Sequence, residues 1–139
     1  MKVFGPYKAT VANIHDGDTI RLDVLLLRRT LASRPNTDLG FNIHSTAKGI
    51  VLEWQAVRLY GCNAPEIATT DGKAALTFLG SLVKVGDTVS LLSHGWDKYG
   101  GRILGSVTLA DGTDLVSAMI ASGHAKPWDG QGVKPTLHT

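Results

Sequence analysis

From Val57 to Glu66 the chain reads Val-Arg-Leu-Tyr-Gly-Cys-Asn-Ala-Pro-Glu, an alternating segment that ends in a glycine and a proline. This pattern constrains the fold more than any other. Val57 and Leu59 fall on one face of an extended strand and Arg58 and Tyr60 on the other, so the strand is half-buried. Gly61 and Pro65 then break it into a shaped loop, from which Glu66 could turn back toward Arg58. One segment thus carries a cation able to grip phosphate oxygens and a carboxylate able to act as a base toward water.

The flanking chain supplies short strands and two helices. Tyr7 to Ile14 and Thr19 to Val24 read as a hairpin around His15-Asp16-Gly17-Asp18. Asp16 and Gly17 are turn residues; Asp18, one step later, is either structural or an oxygen ligand for a hard cation. Leu22 to Leu27 and Leu39 to Ile43 are expected to pair across a basic excursion containing Arg28, Arg29 and Arg34. That excursion is either solvated or in contact with a polyanion. Asp38 is either a turn residue or a second metal carboxylate. Ile50 to Tyr60 reads as a central strand with Trp54 and Val57 in the core. Ala74, Ala75, Phe78, Leu79, Leu82 and Val83 recur at helical spacing, with Thr70 or Asp71 as cap and Gly86 as stop.

Val89 to Leu92 and Ile103 to Leu109 are strands flanking Asp97-Lys98-Tyr99-Gly100-Gly101-Arg102. The double glycine either re-aims Arg102 through a bulge or belongs to a plain hairpin. Thr113 or Asp114 caps a second helix that buries Leu115, Val116, Met119 and Ile120 and stops at Gly123. The breaker-rich tail reads as irregular, with Trp128 covering a barrel end or stacking on a base.

A chain of 139 residues with a net charge of +2 suits one domain, with a core about 7–128 and an insertion about 25–48. So mild a basicity requires placed cations for any nucleic-acid contact. The single Cys62 excludes an internal disulfide, and the five histidines lack zinc-ligand spacing. No apolar run reaches membrane-spanning length and no leader opens the sequence. The expectation is a cytoplasmic protein as written, or a secreted one if a leader was removed, with no membrane partner.

Three segments, Asp16-Gly17-Asp18-Thr19, Arg58 through Pro65-Glu66, and Asp97 through Arg102, together resemble the staphylococcal-nuclease-like, or thermonuclease, family in its own order. The resemblance implies an α+β fold, a five-stranded Greek-key barrel of the oligonucleotide-binding type with two to three packed helices. It also implies a calcium-dependent nuclease acting on DNA and RNA, single strands preferred, that leaves a 5′-hydroxyl and a 3′-phosphate. Carried over by position, Asp18 resembles the first calcium carboxylate, Arg58 and Arg102 the two arginines, and Glu66 the general base. Lys98 and Tyr99 resemble residues bordering the terminal phosphate. The chain departs from the family at Asn63, where a second metal-binding aspartate is expected, and at Ala64, whose backbone carbonyl would still serve. Gly101 is one residue more than usual, so Arg102 matches only if a bulge absorbs it. The competing expectation is the same barrel as a catalytically weak or inactive binding module for nucleic acid or protein.

Overall fold

Five strands close on one another because each has two edges to satisfy and a single apolar face to bury. They are β1 (Phe4–Asp16), β2 (Thr19–Arg28), β5 (Gly49–Leu59), β7 (Thr88–Trp96) and β8 (Arg102–Thr108). In the computed structural model, which describes residues 3–28, 37–40, 42–46 and 49–135, β1 pairs with β2 and β7, β7 with β8, β8 with β5, and β5 with β2. The circuit is a closed, mixed barrel in which only β5 and β8 run parallel. Ile20, Leu22, Val57, Leu59, Leu91 and Val107 fill it, each at most 1% exposed. Together with its two helices this is the α+β architecture of the oligonucleotide-binding type.

Helix α1 (Thr70–Leu82) packs on β1 with Ala75 and Leu79 inward. Its N-cap is Thr69, one residue earlier than expected, with the hydroxyl accepting from the Gly72 amide. Helix α2 (Leu115–Ala121) is capped by Asp114 and buries Leu115 and Met119. No described helix is long and apolar enough to cross a membrane.

Three expectations need correction. The Leu39 segment does not pair with β2, whose two edges are taken by β1 and β5. Instead β3 (Thr37–Gly40), carrying Asp38, pairs with β4 (Ile43–Thr46), which extends the sheet from β5. Arg29 and Arg34 lie outside the described residues. Trp54 is not in the core: it is 47% exposed at φ +56°, in a bulge where Leu22 pairs with Gln55 but Val24 with Leu52. One extra residue, with Glu53 and Trp54 opposite Asp23, turns its side chain outward, where Asp23 Oδ1 accepts from the Trp54 amide and Arg21 lies over the indole. The tail is not wholly irregular, since β9 (Lys126–Pro127) pairs with β6 (Cys62–Asn63) and so ties it to the loop after β5.

Candidate phosphodiester site

Arg58 leaves β5 beside the start of β2, because Thr19 and Arg58 are register partners. Its guanidinium Nη1 lies 3.2 Å from Asp18 Oδ2 and donates to the carbonyls of Leu59 (3.1 Å) and Cys62 (3.0 Å). Nη2 donates to Asn63 Oδ1 at 3.3 Å. Of the five guanidinium donors this leaves Nε–H and one Nη2–H without a partner among the described residues. One edge of Arg58 therefore folds the loop and the other is open.

Asp18 is held from several directions. Oδ2 accepts from the Ala64 amide at 2.8 Å, the Thr19 hydroxyl donates to Oδ1, and the Asp18 amide donates to Asp16 Oδ1. Burial pushes the Asp18 carboxyl up to about 6, while Arg58 and the Ala64 amide oppose the rise. The same burial, aided by Asp18, pushes the Cys62 thiol up to about 12. The turn does need Gly17, but for space rather than for positive φ. A Cβ there would stand 2.8 Å from that of Ala75 and 2.9 Å from that of Ala64, so glycine lets α1 and the site loop close on Asp18.

Asp18, Arg58, Asn63 and Ala64 thus form one hydrogen-bonded knot. Arg58 and Arg102 also share an open pocket of about 510 Å³, lined by Tyr60, Trp96, Lys98, Tyr99, Trp128 and Lys134 among others. The extra glycine does not carry Arg102 away. Glu66 is placed differently: it is exposed, two residues beyond Ala64, outside the pocket lining, and it makes no ion pair with Arg58 among the described residues.

The donor set for a metal is all oxygen, the Asp18 carboxylate, the Asn63 amide oxygen and the Ala64 carbonyl, which suits a hard cation rather than zinc. A buried carboxylate with a raised pKa gains from an added cation, so the residues fit calcium. One formal negative charge facing a guanidinium puts the affinity at the weak end. No cluster of three His, Cys, Asp or Glu is found among the described residues.

Sequence reasoning missed Gln55, Trp96 and Lys134. Trp96 and Lys134 carried a weak signal, an aromatic and a cation beside glycine-rich loops. Gln55, whose Nε2 donates to the Gly101 carbonyl at 2.8 Å, carried none, because that contact depends on the parallel pairing of β5 and β8. The tail's tie to the site was also unread: Asn63 Nδ2 donates to the Pro135 carbonyl at 3.1 Å, a bond an aspartate cannot make.

No curated protein matches the chain. A family model described as staphylococcal nuclease homologue matches residues 56–134, more than half of the sequence, from the last residues of β5 into the tail. Asp18 lies outside that range and reaches the site through the β2–β5 pairing. On that match, the chain belongs to the staphylococcal nuclease homologue family.

Proposed function

We propose that this chain hydrolyses phosphodiester bonds of single-stranded DNA and RNA in a calcium-dependent reaction. The observation that carries this reading is the pocket shared by Arg58 and Arg102, two guanidiniums far apart in sequence but on the neighbouring strands β5 and β8, lining one space. Water attack places added negative charge on the phosphate oxygens, and arginine forks match that geometry. Arg58 donates through its open Nε–H and Nη2–H edge. Arg102 donates through its terminal nitrogens, since its Nε is engaged by Asp97. Asp18, Asn63 and the Ala64 carbonyl would hold calcium, which would supply positive charge to offset that of the phosphate oxygens. Glu66 takes the proton of the attacking water or orients it, and its exposure leaves it free to move toward substrate. Lys98 and Tyr99 border the neighbouring phosphate.

The preference for single strands rests on the rim. Trp96 is 58% exposed and Tyr99 81%, with Trp128 on the same pocket. Exposed rings stack on unpaired bases and contribute about 1–3 kcal/mol per base.

A second reading, binding without hydrolysis, is favoured by Asn63, which lowers the metal-site charge and ties the tail across the loop. End-labelled single-stranded DNA and RNA, incubated with calcium or with a chelator, separate the two. Calcium-dependent fragments support hydrolysis; retention of intact strand in both conditions supports the binding module.

A further inference from the structure

We propose that Asp97 and Gln55 are positioning residues that hold Arg102 on the shared pocket despite the additional glycine; this rests on the reading of Arg102 as a phosphate clamp. The loop from Asp97 to Arg102 closes on itself, with the Asp97 amide donating to the Arg102 carbonyl at 2.8 Å and the Gly100 amide to the Asp97 carbonyl at 3.0 Å. Gly100 and Gly101 take φ of +72° and +87°, a conformation other residues resist. Beyond them Arg102 is in parallel register with Ala56. Gln55, adjacent to Ala56, reaches across the strand and donates from Nε2 to the Gly101 carbonyl at 2.8 Å and to the Ala56 carbonyl at 2.9 Å. The inserted residue is therefore pinned within the loop, and β8 begins at Arg102 in unbroken register with β5, the irregularity between Ser93 and Trp96 falling on its other side, against β7.

Asp97 fixes the side chain as Gln55 fixes the backbone. Its Oδ2 accepts from Arg102 Nε at 2.8 Å, and the Asp97 side chain is only 8% exposed while that of Arg102 is 42% exposed. Oδ1 of Asp97 is buried with no hydrogen-bond partner. A buried carboxylate with one oxygen unsatisfied is a poor stabiliser, so stability does not explain its presence. What it does is engage the Nε–H, which restrains the guanidinium and leaves both terminal nitrogens without a hydrogen-bond partner among the described residues, on a side chain that lines the pocket. An arginine so exposed would otherwise sample many rotamers.

The test is a double-mutant cycle on purified full chain, with Asp97→Asn and Gln55→Ala each placed in wild-type and Arg102→Ala backgrounds. Single-turnover cleavage of a single-stranded oligonucleotide and its affinity in chelator are both measured, well below each variant's melting temperature. A misplacement of about 1 Å costs on the order of a hundredfold in rate. In the wild-type background Asp97→Asn is therefore expected to lower kcat by about 10- to 100-fold with a smaller change in KM, and Gln55→Ala by about 10-fold. With Arg102 absent, neither has anything left to position and neither lowers kcat further. Equal losses in both backgrounds, or none in either, would overturn the proposal. If wild type binds but does not cut, the cleavage reading fails and the same cycle, read on affinity, decides the positioning claim. A wild-type chain that neither cuts nor binds overturns both.

Discussion

Arg58 Nη1 lies 3.2 Å from Asp18 Oδ2, and each side chain is only 11% exposed. A pair this deeply withdrawn from water is costly to assemble and more costly to break from one side. The same guanidinium satisfies the Leu59 and Cys62 carbonyls. Arg58→Ala is therefore expected to destabilise the protein by about 3–5 kcal/mol as well as abolish cleavage. Urea unfolding checks the stability loss, and a midpoint equal to wild type would show that the pair is not structural.

Asn63→Asp adds a negative charge to the proposed metal-ligand set and removes the bond to the Pro135 carbonyl. Because charge count tunes affinity in oxygen-ligand sites, the variant is expected to bind calcium about tenfold more tightly or better. Calorimetric titration of the free protein measures this without reference to activity. An unchanged Kd would argue against residue 63 as a ligand.

Gly72→Ala sets helix propensity against space. Alanine should favour α1 by about 1 kcal/mol. Its Cβ, however, would overlap the Glu66 carbonyl and come within 3.0 Å of the Ile67 Cα, both backbone atoms that cannot rotate away. Overpacking typically costs about 1–3 kcal/mol, so net destabilisation is expected together with displacement of the Glu66 segment. Thermal melting and the cleavage rate should fall together. A more stable variant would mean that propensity wins.

His94 stacks on Tyr60 with ring centroids 4.2 Å apart, shares a 2.8 Å hydrogen bond with the Ser106 hydroxyl, and has its pKa lowered by burial. The fold favours the neutral ring, whereas the unfolded chain takes up its proton near about pH 6.5. This contribution is fully present above that value and is lost as pH falls through the lower folded value. Wild type should therefore lose more stability than His94→Gln between about pH 7 and pH 5. Parallel unfolding curves for the two would remove His94 from the pH dependence.

Much of this was legible because it is local. Alternation placed Val57 and Leu59 inside and Arg58 outside; the hairpin, the Asp114 cap and the buried Met119 followed from turn and helix chemistry. Trp54 was misread because a two-residue bulge opposite Asp23 reverses the inside–outside pattern, and nothing in the run of residues marks it. Gly17 was read as a turn residue, although its need for space comes from Ala64 and Ala75, distant in sequence. Gln55 and the Pro135 carbonyl act only through pairings that local pattern does not reveal.

The central claim is that Glu66 activates water at a phosphate held by Arg58 and Arg102, and Glu66→Gln tests it most directly. The carboxylate is exposed, so the substitution should leave the melting temperature and oligonucleotide affinity unchanged. Loss of a general base lowers rate by about 10²- to 10⁴-fold, and single-turnover cleavage of a single-stranded oligonucleotide in calcium should fall within that range. Cleavage by Glu66→Gln at the wild-type rate would contradict the account.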